Sequence, residues 1–200
     1  MAGRNRPKRS ANAILDRLAG EEANAVLCQL LEKHSELRPE AERIARGLIS
    51  SQSVENIAAE VTEALMGVDL DALNGRAGKH AWGYVEPGEA AMELLEEAIE
   101  ERVDDMRRHV GVDLVASAQT VCAGIVVGLY ACRKTNSDGA LGWAPDFPAE
   151  HAGFIVQQFL GLSRHKLTSA DRDKFIESLV GGAPEWEDMF RRLVKQGVKD

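Results

Sequence analysis

The sequence predicts an all-α fold: about eight helices in consecutive antiparallel pairs, assembled as a HEAT/TPR-like helical-repeat stack or as an irregular bundle. Composition points there first. The 200 residues are 44% hydrophobic but only 5% aromatic, and Ala, Leu and Glu recur where a sheet would accumulate β-branched and aromatic side chains. Apolar residues also return at three- and four-residue intervals over most of the chain, the period of a helix with one buried face. Finally, Gly20, Pro39, Gly67, Pro87 and Gly111 fall at the ends of these runs, as helix starts and stops do.

A first helix from about Glu21 to Ser35 carries Leu27, Leu30, Leu31 and His34 on one face. Pro39 suits the first turn of the next, where its missing N–H costs nothing. There Ala41, Ile44, Ala45, Leu48 and Ile49 follow a helical spacing, and the short connection reads as an antiparallel pair. Ser53 is placed to cap a third helix, with Val54, Ile57, Ala58, Val61 and Leu65 on one side and Gly67 as its stop. The stretch Asn74 to Gly88 then breaks the pattern with four glycines, Pro87, Trp82 and Tyr84, as a loop or a domain joint. A long amphipathic helix from about Pro87 to Val110 has Met92, Leu95, Ile99, Val103, Met106 and Val110 as its core stripe. The next, from about Asp113 to Arg133, sets Ala116, Thr120, Gly124, Gly128 and Cys132 at four-residue intervals, a small-residue stripe that lets another helix approach. Thr135 to Pro148 reads as a second loop carrying Trp143 and Phe147. Three more helices are expected near 149–162, 170–180 and 184–196, with Gly181, Gly182 and Gly197 at helix ends.

Residues 1–10 read as a flexible basic arm and 11–200 as one helical domain, with 74–88 as the place where it would divide. The formal net charge is −8, yet the first ten residues hold Arg4, Arg6, Lys8 and Arg9 and no acid, which leaves 20 basic and 32 acidic residues, or −12, on the rest. Such an arm can touch nucleic acid, an acidic partner or its own acidic body; a solvated terminus is the plain alternative. No charged segment followed by an apolar run opens the chain, so secretion is not indicated. Cys28, Cys122 and Cys132, odd in number and set among apolar residues, read as small core residues in a reducing compartment, which gives a cytoplasmic expectation. In the most apolar stretch the uninterrupted run Val121 to Cys132 falls short of the roughly 18 to 20 residues that cross a bilayer, so a buried central helix is expected and a membrane is not.

Candidate chemistry is thin. Glu89, Glu93, Glu96 and Glu100 project along one side of the long helix, as a solvated face or as a surface for a basic protein partner. A di-metal carboxylate site would need a His three residues after such an acid, and none follows. His34, His80, His109, His151 and His165 have no metal-ligand spacing, and neither metal nor cofactor is expected. His109 near a helix C-terminus favours the helix dipole, and His34 on an apolar face reads as a core histidine. The run Gly75 to His80 lacks both the spacing of a phosphate loop and the hydroxyl after Lys79. Asp171 and Asp173 open like a calcium loop, but Ile176 stands where that loop requires Gly. What remains is the aromatic content of the two loops, Trp82 and Tyr84 in one, Trp143 and Phe147 in the other. If both lie at one end of the molecule they form a binding patch; otherwise they plug gaps between helices.

The stretch Leu30 to Ala45, with its Leu-Leu-Glu and Leu-Arg-Pro-Glu, resembles the helical pairs that accompany SWIM-type zinc fingers. Tyr84 to Ala98, followed by Ala123 to Tyr130, is similar to parts of related bacterial helical proteins, so the likeness covers about half of the chain, between Leu30 and Cys132. The finger itself is absent: no Cys-x-Cys followed by Cys-x-His occurs, and neither zinc nor DNA binding carries over. The resemblance implies an α-helical repeat architecture with an adaptor role and no catalytic residue. The combined expectation is a non-enzymatic protein–protein interaction scaffold that docks a partner through Trp82, Tyr84, Trp143, Phe147, Glu89, Glu93, Glu96 and Glu100. Self-association through an apolar helix face is a further expectation. The alternatives are a nucleic-acid-associated regulator using Arg4, Arg6, Lys8 and Arg9, and an enzyme with a site near His80, Trp82 and Tyr84.

Overall fold

Helix starts are set by local side chains that accept orphan backbone N–H groups. Ser53 accepts from Asn56 N, Asp69 from Ala72 N, and Thr168 forms a reciprocal capping box with Asp171. The computed structural model describes residues 14–81, 83–134 and 139–196 and is all-α, with one two-stranded exception. Those residues divide into two compact units, Met1–Leu48 and Ile49–Asp200. The first contains α1 (Gly20–Lys33) and α2 (Arg38–Ile49), with 3-10 turns at Ile14–Arg17 and Ser35–Leu37. The antiparallel pairing expected of them does not occur: α1 touches the turn that leads into α2 but does not lie along it. No residue of either helix is buried. His34 and Cys28, expected in a core, are exposed, and His34 Nδ1 lies 3.1 Å from Glu36 Oε1.

The second unit is built around one helix. Its elements are α3 (Val54–Met66), α4 (Leu70–Arg76), β1 (Gly78–His80), β2 (Gly83–Val85), α5 (Pro87–Gly111), α6 (Val115–Cys132), α7 (Ala140–Trp143), α8 (Phe147–Leu162), α9 (Ser169–Gly182) and α10 (Glu187–Gln196). α6 packs against α3, α5, α8 and α9. A repeat stack would give each helix only its neighbours in the series, so the arrangement is a bundle wrapped on a central helix. The apolar run of α6 is long enough to cross a membrane by length and composition, and here it supplies ten buried residues to the helices around it. Its small-residue stripe sets the closest approach. A Cβ built on Gly124 would lie 2.5 Å from Ile57 Cβ, and one on Gly128 would lie 2.8 Å from the Ala58 carbonyl oxygen.

The core stripes read on α3 and α5 are buried apart from the half-buried Val54 and Met92, whereas those read on α1 and α2 are not. Ile57, Ala58, Val61 and Leu65 of α3 are buried, as are Leu95, Ile99, Val103, Met106 and Val110 of α5. The α5–α6 corner turns on Asp113, whose φ of 64° is a left-handed conformation that Asp tolerates better than most side chains. Lys166 Nζ donates to the Val110 carbonyl and to Asp113 Oδ1, at 2.9 and 2.8 Å, and ties that corner to the turn after α8.

The stretch 74–88 is neither an open loop nor the joint between units. It holds the end of α4 and an antiparallel hairpin pairing Gly78 with Val85, Lys79 with Tyr84 and His80 with Gly83. Strands of three residues are too short to show alternation, which is why spacing missed them. The expected second loop is likewise part helix, as α7 and the first residues of α8. Gly197 and the arm residues Arg4, Arg6, Lys8 and Arg9 lie outside the described residues, as does Trp82.

Candidate functional site: the cleft between helices 5 and 8

The expected acidic face is exposed, and tertiary structure gives it three different neighbours. Glu93 and Glu97 turn toward α4, where Arg76 Nη1 lies 3.5 and 2.7 Å from them. The guanidinium beside Glu97 holds that carboxyl below its ordinary range. Glu96 turns the other way, toward α8, and its Oε1 lies 3.0 Å from His151 Nε2. Glu100 Oε1 accepts from Arg107 Nη1 at 2.7 Å, and the same nitrogen donates to Asp104 Oδ1. Glu89 is exposed near the start of the helix. Periodicity placed these acids on one helix but could not say which flank each would serve.

Glu96, Glu100, Arg107 and His151 form the polar rim of a cleft of about 220 Å³ whose apolar walls are Ile99, Val103, Phe154 and Ile155. His151 is held firmly there. Its ring stacks on Phe147 at 3.9 Å between centroids and 21° between planes, and its side chain is 14% exposed. A carboxylate only accepts hydrogen bonds, so Nε2 donates to Glu96 and a proton sits on that nitrogen. Nδ1 is buried without a partner. Phe154, one turn further along α8, is 56% exposed at the cleft mouth.

Two of the aromatics expected to form a patch, Tyr84 and Trp143, lie toward the start of α5. Tyr84 on β2 leads into the first turn of α5, and Trp143 ends α7, which packs on the same helix. A Cβ added at Gly88 would meet the Trp143 carbonyl oxygen at 3.4 Å, so both loops do reach one end of α5. Tyr84 and Trp143 are 62% and 54% exposed. Phe147 is a correction: it is fully buried as the first residue of α8 and supports His151 from below. His80 also has a local task, its Nε2 lying 2.7 Å from the Arg76 carbonyl oxygen at the end of α4.

Three residues of the cleft, His151, Phe154 and Arg107, were not singled out as site residues from the sequence. The signal was the spacing Phe147, His151, Phe154, which is a helical face once α8 is known to begin at Phe147. The cleft is smaller than the roughly 300 to 1,000 Å³ of ordinary small-molecule pockets, and it has the size of a notch for one side chain. Its lining holds an acid, an imidazole and a guanidinium. A larger groove of about 500 Å³ runs between α3, α6 and α9, floored by Ala116, Thr120 and Ala123; none of the expected site residues lines it. Among the described residues no three His, Cys, Asp or Glu side chains come together as metal ligands.

The chain matches no known family, no curated protein and no solved structure.

Proposed function

We propose that this chain is a non-enzymatic protein-binding module of the cytoplasm. Its docking face is the outer side of α5 with the aromatics that flank it, and its partner presents a basic segment with apolar anchors. The observation that carries this reading is Phe154, more than half exposed beside Glu96 and Glu100 at the mouth of a side-chain-sized cleft. Aromatic anchors supply much of the energy of protein interfaces. Acids in line beside them steer and orient a cationic partner, and Tyr84 and Trp143 stand exposed near the start of α5.

The test is site-specific photocrosslinking in native cells, with the crosslinker at position 154 or 143 and a control at Leu162. One partner captured from 154 and 143, retained after nuclease treatment and in a chain lacking residues 1–10, and lost with Glu96→Lys, is the expected result. Capture that disappears with nuclease or with the arm would overturn the reading in favour of nucleic acid. Equal capture from Leu162, or none from 154 and 143, would sink it outright.

A further inference from the structure

The cleft between α5 and α8 has apolar walls, and the charges at its mouth do not balance. Glu96 and Glu100 line it, and the guanidinium in its lining, that of Arg107, is shared at 2.7 Å each between Glu100 and Asp104. Three carboxylates around one guanidinium leave a surplus of two negative charges beside Ile99, Val103, Phe154 and Ile155. Apolar walls under a negative rim complement a side chain with an apolar stem and a cationic end, the form of lysine and arginine.

Both rim acids are held in place. His151 Nε2 lies 3.0 Å from Glu96 Oε1, and the His151 ring is itself fixed by its stack on Phe147. Arg107 donates from Nη1 to Glu100 Oε1, while its Nε donates to Gln158 Oε1 at 3.2 Å, so α8 steadies this acid as well. Each carboxylate is engaged through Oε1, and among the described residues Oε2 of neither accepts a hydrogen bond.

That arrangement separates the two cations. A guanidinium is bound best by both oxygens of one carboxylate, through two parallel N–H donors. Neither rim acid offers such a pair, because one oxygen of each is taken. An ammonium needs no fork, since its three donors point to different groups. Residues four apart on a helix stand about 5–6 Å apart at Cβ, close enough for one ammonium to serve both Glu96 and Glu100. The stem of a lysine would pack on Phe154, Val103 and Ile99, and a volume of about 220 Å³ admits one such side chain.

We infer that this cleft is a lysine-recognition notch, which takes a single lysine side chain of the partner, sets its ammonium between Glu96 and Glu100, and prefers it to arginine. The inference rests on the docking face proposed above and names the residue which that face reads. It also makes docking sensitive to Nε-acetylation of that lysine, which removes the charge.

Amide-resolved NMR titration of the full chain with a capped Ala-Ala-Lys-Ala-Ala peptide, and with its arginine and Nε-acetyl-lysine counterparts, is the test. The expected result is saturable shifts centred on Val103, His151, Phe154 and Ile155 at millimolar lysine peptide, with the other two peptides at least about tenfold weaker. Glu96→Gln and Glu100→Gln keep the side-chain size and should each weaken the lysine peptide by a similar factor. Glu63→Gln, exposed on α3 and outside the cleft, should leave its binding unchanged. No saturable shift at the cleft, equal binding of the arginine or acetylated peptide, or equal weakening by Glu63→Gln overturns the inference. The comparison of peptides on the wild-type chain depends on no variant folding. The two readings also fail separately: capture from position 154 without lysine binding overturns the notch and spares the docking face, whereas lysine binding without capture supports the notch and sinks the docking face.

Discussion

Gly128 of α6 sits so close to Val61 of α3 that a Cβ on the glycine would lie 2.8 Å from both Val61 Cβ and the Ala58 carbonyl oxygen. Thr62 Oγ1, which donates to the Ala58 carbonyl at 2.7 Å, lies beside the same crossing. Neither neighbour is the end of a flexible side chain, so the two helices must part if the glycine is enlarged. Gly128→Ala is expected to cost about 1–3 kcal/mol as overpacking. Gly161→Ala, whose added Cβ meets nothing within 4 Å, is expected to stay within about 0.5 kcal/mol. Urea unfolding of the two variants measures the difference.

Phe147 and Phe154 lie two turns apart on α8 and have opposite surroundings. Phe147→Ala removes a fully buried ring and the support of His151, with an expected loss of about 3–5 kcal/mol. Phe154→Ala should leave stability within about 0.5 kcal/mol while abolishing capture of the partner proposed above. Thermal unfolding run beside the crosslinking assay separates the two roles.

Acid should weaken the fold in two windows. Burial holds His109 below its ordinary 6.5, against the opposing pull of Asp105. The unfolded chain therefore binds this proton more readily, and stability is full above pH 6.5 and falls as pH drops below it. His109→Gln should flatten this dependence in urea unfolding followed from about pH 8 to about pH 5. At lower pH, Arg133 and Lys134 lower the Glu185 carboxyl from 4.5 to about 2. Its pairing is complete above 4.5 and is lost as pH falls toward 2, so Glu185→Gln should alter only that lower window.

Thiol chemistry should distinguish the three cysteines. Cys28 is exposed, whereas Cys122 and Cys132 are buried and burial pushes both thiols up, away from the reactive thiolate. A disulfide-exchange reagent should titrate one thiol in the native chain and three in denaturant, with the native reaction abolished by Cys28→Ser. Rapid reaction of a second native thiol would contradict the placement of α6.

The longer helix spans, the Ser53 cap and the apolar faces were legible in the sequence because each rests on neighbours within a few residues, whereas the short α4 and α7 were not. The Ser53 cap, the stop at Gly67 and the stripes of α3 and α5 all follow from local hydrogen bonding and the 3.6-residue period. Partners were not legible, because periodicity names a face and not what it meets. Only the tertiary structure made α6 the centre of the second unit, turned Phe147 inward and left Trp143 outside. It brought His151 to Glu96 across 55 positions of sequence, a contact fixed by the packing of α5 and α8 against the same central helix. It also left the apolar faces of α1 and α2 without a buried residue within their own unit.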